Sequence, residues 1–235
     1  NPDMNIPMPM MNVLNGGQHA NNSADFQEYM IIPVGAKSYK DAIRMGSEIF
    51  NVLKEVIVEK GGSTTVGDEG GFTLNVSSNT EMLDILNFAV KDAGYKLHED
   101  VVYALDVAAS EFYDGEYYNF QTEKIALTQS ELIEYLDDIA SHYAIESIED
   151  GLDQDDWDGW EELTSKTGDI QLVGDDLFVT NIERLSHGIE YKAANAVLIK
   201  PNQIGTLSET IEAILKAKEA GWGVIVSHRS GETED

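Results

Sequence analysis

Short, nearly continuous apolar runs recur along the second half of the chain. They are rich in Val, Ile, Leu and Ala, and most of them do not alternate with polar residues. Such runs are typical of strands that are buried on both faces, as in a parallel sheet. The five runs are 101–105, 144–148, 170–173, 196–199 and 224–226.

Helical patterns separate these runs. Residues 128–131 read Thr-Gln-Ser-Glu, a capping box, and apolar residues follow it at helical spacing. A shorter helix is predicted over 157–166, and another begins near Leu207 and stops at Gly221. Strands that alternate with helices in this way predict βα units with right-handed connections.

The first half of the chain has a different order. Two strands, at 12–15 and 26–32, are predicted on either side of a Gly- and Asn-rich connection. Two helices, beginning near Ser38 and Thr80, follow with no strand between them, and Asp114-Gly115 predicts a hairpin insertion. The seven predicted strands are one fewer than a closed βα barrel needs. We therefore predict an α/β fold, a TIM-type βα barrel that is incomplete.

Composition narrows the range of partners. The 235 residues contain 43 Asp and Glu against 15 Lys and Arg, a formal net charge of −28, and no cysteine. The negative charge argues against nucleic acid, because phosphate backbones bind Lys and Arg. The lack of cysteine excludes disulfides, zinc–thiolate sites and thiol nucleophiles. No apolar run reaches the ~20 residues of a membrane helix and no signal pattern opens the chain, so we expect a cytoplasmic protein without membrane insertion.

Ionisable residues follow the five buried runs. In chain order they are Asp106, Glu149-Asp150, Asp175-Asp176, Lys200 and His228-Arg229. Parallel strands point the same way, so these side chains should meet at the carboxyl ends of the strands, where barrel enzymes carry out catalysis. One polar strand end is usually only solvent-exposed, but five in succession favour a functional site.

The types of these residues indicate metal chemistry. Asp106, Glu149 and Asp175 come from three neighbouring strands and would repel one another unless a cation lay between them. A set of oxygen ligands favours Mg²⁺ over zinc. Lys200, one strand further on, would lie beside the metal and partly out of water, where an ammonium loses its proton more easily and can act as a general base. The alternative is a lysine that simply extends to the surface.

Three further segments carry polar groups next to glycines. Residues 66–71 place two carboxylates, one of them Glu69, in a turn flanked by glycines, and His19 follows Gly16-Gly17. Residues 227–233 combine a guanidinium with hydroxyls, a group that suits a phosphate or a carboxylate. The first two segments alone are more often structural than functional.

Several of these segments together resemble the enolases. The resemblance runs in register over essentially the whole chain and rests on residues 12–20, 66–71, 104–108, 147–150, 174–177, 198–206 and 227–235. The stretches 19–22 and 149–152 are more similar to bacterial enolases than to animal ones.

The resemblance implies an enolase-type barrel whose second strand is antiparallel. It implies the reversible dehydration of 2-phosphoglycerate to phosphoenolpyruvate with two Mg²⁺, a hydro-lyase reaction of glycolysis. By position, Asp106, Glu149 and Asp175 would hold metal and Lys200 would remove the proton next to the substrate carboxylate. Enolase-type sites are themselves a standard example of a Lys or His base acting with Mg²⁺.

The resemblance also assigns the remaining site residues. Glu69 would donate a proton to the leaving hydroxyl, with Glu28 beside it and His228 in support. Substrate contacts would come from His19, Gln27, Glu28, Lys200, Arg229 and Ser230, the last two at the phosphate.

The same resemblance describes residues 1–235 as most of a C-terminal barrel domain. A smaller N-terminal α+β domain and the last barrel strand would then lie outside these residues, and the full-length protein would form homodimers or octamers of dimers. Two alternatives stay open: another enolase-superfamily enzyme, or a non-catalytic binding protein for host partners, secreted or at the cell surface without a signal peptide.

We expect the 235 residues, when expressed alone, to be inactive or poorly folded, and the full-length gene product to be active. An unclosed barrel exposes apolar strand edges, which favours aggregation. The ultraviolet absorbance of the enol product measures both activities, and substantial turnover by the shorter chain would contradict this expectation.

Overall fold

The computed structural model describes residues 6–19, 23–67 and 70–229. These residues form two compact units, the first made of residues up to 105 with 141–145, and the second of 106–140 with the chain from 146 onward. The strands are β1 (Met11–Asn15), β2 (Glu28–Ile32), β3 (Phe72–Thr73), β4 (Val102–Asp106), β5 (Tyr118–Phe120), β6 (Ile125–Leu127), β7 (Ile145–Glu149), β8 (Gln171–Gly174), β9 (Ala196–Ile199) and β10 (Gly223–Val226). The helices are α1 (Tyr39–Glu59), α2 (Asn79–Asp92), α3 (Gln129–His142), α4 (Trp157–Thr167), α5 (Ile182–Tyr191), α6 (Pro201–Ile204) and α7 (Leu207–Glu219).

The sheet strands of the first unit follow the order β4-β2-β1-β3. β2 runs antiparallel to β1, with Met11 opposite Ile31 and Asn15 opposite Glu28, so the predicted antiparallel second strand is confirmed. β3 runs parallel to β1. The prediction of no strand between α1 and α2 is wrong, because the two residues of β3 are too few to form an apolar run.

Helix α1 begins where its sequence pattern predicts. Ser38 is the N-cap, and its Oγ accepts the backbone N–H of Asp41 at 3.2 Å. The buried positions recur on one face of the helix and include Ala42, Met45, Ile49, Leu53 and Val56. Among the described helices, none is both long and apolar enough to cross a membrane.

The second unit contains the βα repeat that the sequence predicts. β7, β8, β9 and β10 are adjacent in that order, and each is parallel to the next. Their central residues, such as Ile148, Leu172, Val173 and Val197, have no exposed surface. The α/β class is therefore confirmed. A hairpin insertion is present as β5–β6, but its turn is formed by residues 121–124 and not by the predicted Asp114-Gly115, which precede β5. Helix α5 was not predicted, because Leu185 is the one large apolar side chain that it buries.

We expect Ser38→Ala to lower the free energy of unfolding by about 1 kcal/mol, because the first turn of α1 then lacks its side-chain acceptor. Ser38→Asp keeps an acceptor oxygen at the cap and is expected to stay close to the unsubstituted protein. Urea denaturation measures both variants, and equal stability of the Ala and Asp variants would contradict a role for the cap.

Candidate functional site

Three of the predicted carboxylates lie at strand ends within the second unit. Asp106 ends β4, Glu149 ends β7, and Asp175 directly follows β8. Their exposed fractions are 6%, 9% and 7%. The N–H of Val107 donates to the carbonyl of Glu149 at 3.0 Å, and Glu149 pairs with Val173 of β8. Parallel strands thus deliver these carboxylates to the same edge, as the sequence pattern implies.

A cluster of three carboxylates can hold a cation. Glu149, Asp150 and Asp175 each place one oxygen within 4.8 Å of the other two. Oδ1 of Asp175 is buried and accepts no hydrogen bond from the described part of the chain. A buried oxygen of this kind is a ready ligand, since an unpaired buried polar atom is costly. The all-oxygen donor set fits a hard divalent cation.

The structure thus places Asp150, rather than Asp106, with the two other predicted ligands. Asp106 is buried close by, and its Oδ1 accepts the N–H of Ala108 at 3.1 Å. It is also near enough to contribute to the raised pKa of Asp150. Its role as a ligand stays a prediction.

Asp150 organises the neighbouring strand end through hydrogen bonds. Its Oδ1 accepts the backbone N–H of Asp175 at 3.0 Å, and its Oδ2 accepts that of Asp176 at 2.8 Å. Its own N–H donates to Val173 and its carbonyl accepts from Ala109, both at 3.0 Å. Asp150 therefore fixes the position of Asp175. The sequence signal for Asp150 is the pair of acids at one strand end, of which only Glu149 was predicted to bind metal.

Two carboxyl groups at this edge, those of Asp150 and Asp176, have a raised pKa. Burial is the main cause of the strongly raised pKa of Asp150, and repulsion from Asp175, Asp176 and Asp106 adds to it. Burial, followed by repulsion from Asp175, also raises the pKa of Asp176. The site thus concentrates negative charge away from water, and a bound cation would offset that charge.

Lys200 lies beside this cluster, directly after β9. Its Nζ donates to Oδ2 of Asp175, and the two side chains are 16% and 9% exposed. Burial lowers the pKa of Lys200, but Asp175 and Glu149 raise it by more, and the net direction is upward. The expectation of easy deprotonation supposes a divalent cation beside Lys200 as well as partial burial, whereas the neighbouring charges here are carboxylates, which favour the ammonium form. Lys200 is itself the counter-ion in this structure.

Arg229 and His228 follow β10. The N–H of Ser227 donates to Ile199 at 3.1 Å, which holds the start of this segment beside β9. Arg229 is close enough to Lys200 to lower the pKa of that lysine slightly. His228 is exposed. The predicted phosphate ligand Ser230 lies outside the described residues.

The first unit brings two other predicted residues together. His19 Nδ1 lies 3.4 Å from Oε1 of Glu28, and these side chains are 29% and 15% exposed. Gly16, shortly before His19, packs closely against the segment that precedes β2, because a Cβ there would lie 2.3 Å from the carbonyl oxygen of Phe26. The N–H of Gly16 also donates to the carbonyl of Gln27 at 3.0 Å.

A cleft of about 600 Å³ opens beside His19 in the same unit. Besides His19, it is lined by glycines, hydroxyls, amides and the apolar side chains of Val66 and Leu74, from residues 18, 61–63, 65–67 and 73–75. Buried Asn15 lies against Gly67 of the lining, where a Cβ would be 2.7 Å from its Nδ2, and that Nδ2 donates to the carbonyl of Gly71 at 3.0 Å. A Cβ on Gly71 would lie 2.7 Å from Asn15 Oδ1, which explains the glycine. The predicted proton donor Glu69 lies outside the described residues.

We expect Asp150→Ala to lower the free energy of unfolding by about 2–4 kcal/mol, because two N–H groups at the end of β8 lose their acceptor. Asp150→Asn keeps one acceptor oxygen and is expected to lose about half as much. Chemical denaturation without added metal measures both, and an unchanged Asp150→Ala variant would refute the organising role.

Comparison with known families agrees with this geometry. The family model described as "Enolase, C-terminal TIM barrel domain" matches residues 3–235, nearly the whole chain. The match supports an enolase-superfamily enzyme, and the acidic cluster is compatible with a divalent metal. The chain therefore belongs to the enolase C-terminal TIM barrel domain family.

Proposed function

We propose that the protein is a Mg²⁺-dependent hydro-lyase, phosphopyruvate hydratase, which interconverts 2-phosphoglycerate and phosphoenolpyruvate. The observation that carries the proposal is the contact of Lys200 with Asp175 at the edge of a carboxylate cluster. That contact places a potential base beside a potential metal site. The sequence motifs at 66–71 and 227–233 favour this reaction over other reactions of the superfamily.

The proposed dehydration first requires that the negative charge formed on the substrate be stabilised. The proton of 2-phosphoglycerate is weakly acidic, because its removal adds negative charge to a carboxylate that is already ionised. Mg²⁺ ions, held by Glu149, Asp175 and Asp106, would stabilise this charge in a site shielded from water. Lys200 Nζ then accepts the proton, since carboxylates that ligate metal stabilise its ammonium form less.

The acid chemistry is assigned to a second group of residues. We assign proton donation to Glu69, with Glu28 beside it, and substrate contacts to His19 and Gln27. The 3.4 Å separation of His19 and Glu28 supports this assignment. A carboxyl held next to an imidazole can share a proton with it, which suits the loss of a hydroxyl group.

The phosphate needs positive charge in an otherwise acidic protein. With a net charge of −28, the chain repels an anionic substrate at long range. Arg229 can bind a phosphate through two parallel hydrogen bonds, and Ser230 adds a hydroxyl. We assign both to the phosphate and His228 to the support of the acid. The proposal includes a cytoplasmic, homodimeric or octameric enzyme.

The division of roles between Glu149 and Lys200 is testable in the full-length gene product. Glu149→Gln is expected to weaken Mg²⁺ binding by about tenfold or more and to remove turnover as well. Lys200→Met is expected to bind Mg²⁺ at least as tightly as before, since Asp175 is released, while turnover falls about 10²- to 10⁴-fold. Calorimetric titration of Mg²⁺ and the absorbance of the enol product measure these effects.

Glu146→Gln is the matched control, because Glu146 lies on the same strand as Glu149 but is exposed. It should leave both measurements unchanged. Similar metal loss in the Glu149 and Lys200 variants would refute the division of roles. An unsubstituted protein that exchanges the α-proton of another acid, but does not convert 2-phosphoglycerate, would be a different superfamily enzyme. A Lys200 variant that loses turnover but keeps its binding to host partners would favour the alternative of a non-catalytic binding protein.

A further inference from the structure

The turn between β8 and α5 contacts Lys200 at two separate points. It begins at Asp175, whose carboxylate accepts a hydrogen bond from the Lys200 ammonium. It ends at Thr180, whose Oγ1 accepts the backbone N–H of Lys200 at 2.9 Å. The N–H groups of Phe178 and Val179 close the turn by donating to the carbonyl of Asp175 at 3.1 and 2.7 Å. One segment therefore holds both the side chain and the backbone of Lys200.

Thr180 supplies a hydrogen bond that the sheet does not provide. β8 pairs with β9 only as far as Gly174, which lies opposite Val197. The chain then turns away, so the N–H of Lys200 lies beyond the last paired residue of β8. A buried N–H needs an acceptor. The Thr180 hydroxyl, on a residue that is 1% exposed, takes the place of the missing strand carbonyl.

The backbone of the turn is strained where it places this hydroxyl. Val179 and Thr180 have φ angles of +45° and +55°, a region that β-branched residues rarely adopt. The next residue, Asn181, caps α5, and its Oδ1 accepts the N–H groups of Glu183 and Arg184 at 2.8 and 3.1 Å. Strain of this kind persists when surrounding contacts enforce it, and it is common at functional sites.

We propose that Thr180 is a positioning residue that holds Lys200 in place as the general base, an inference that rests on the proposed function. The two contacts of the turn respond differently to a bound cation. When Asp175 ligates metal, it shares its charge and holds the ammonium less tightly. The bond from Lys200 N–H to Thr180 does not depend on that charge. Thr180 then becomes the contact that keeps Lys200 aligned with the substrate.

The first test distinguishes an effect on the position of Lys200 from an effect on substrate or metal binding, and it uses the Mg²⁺-saturated full-length gene product. Thr180→Val removes the hydroxyl but keeps the β-branched shape, and its kcat for 2-phosphoglycerate is expected to fall about 10- to 100-fold. KM and the Mg²⁺ dissociation constant should stay within about twofold, because no ligand contact is lost. Thr180→Ser restores the hydroxyl and should restore kcat. Thr210→Val removes another buried hydroxyl, one that donates only to Thr206 O, and is the matched control.

The second test does not depend on the reaction. Acetylation of Lys200 by an amine-reactive reagent, mapped by mass spectrometry in saturating Mg²⁺, is expected to be about fivefold faster in Thr180→Val, as for one lost hydrogen bond. Thr180→Ser and Thr210→Val should match the unsubstituted protein. If the unsubstituted protein does not convert 2-phosphoglycerate, the proposed function fails. The labelling rates alone then show whether Thr180 positions Lys200. Unchanged labelling in Thr180→Val, or a loss of kcat that Thr180→Ser does not restore, would overturn the inference.

Discussion

Negative charge held away from water at the end of β8 is the constraint on which the second unit depends. Asp150 and Asp175 are each less than 9% exposed, and removing an ionised carboxylate from water costs several kcal/mol unless it is compensated. The structure compensates in two ways. Backbone N–H groups donate to both carboxylate oxygens of Asp150. The Lys200 ammonium donates to one oxygen of Asp175. The other Asp175 oxygen is the atom at which a cation would complete the balance.

Residues with strained backbone conformations occur at the same strand ends. Ala108, Asp150, Val179 and Thr180 all have positive φ angles, and they follow β4, β7 and β8 closely. Each such residue costs about 1–3 kcal/mol, so neighbouring contacts must enforce it. At Asp150 the enforcement comes from four hydrogen bonds, two made by its backbone and two accepted by its side chain, and at Thr180 from the N–H of Lys200. The strain lets the chain leave a strand abruptly while its polar side chains stay directed at the site.

Sequence patterns predict this architecture only where the signal is local. Buried strands are recognisable in the sequence as apolar runs. The residue after each run, such as Glu149 or Lys200, can then be assigned to the carboxyl edge of the sheet. β3 and α5 were missed because their stability comes from tertiary packing rather than from their own residues. Asp150 was missed as an organiser because its partners, the N–H groups at 175 and 176, are visible only when β7 and β8 are aligned. The raised pKa of Lys200 has the same origin, since it depends on carboxylates from other strands.

In the proposed mechanism Lys200 changes its protonation state during turnover, so it needs support that does not change with it. The ion pair between Lys200 and Asp175 weakens when Lys200 loses its proton or when Asp175 ligates metal, so this contact alone would release the side chain at the moment of reaction. A hydrogen bond from the backbone N–H of Lys200 is independent of both events. The turn that begins at Asp175 ends at Thr180, so the proposed metal ligand and the acceptor of the Lys200 N–H lie on one short segment. The two functions nevertheless use different interactions. In that mechanism, this arrangement would let the charge of Lys200 follow the metal while its position stays fixed.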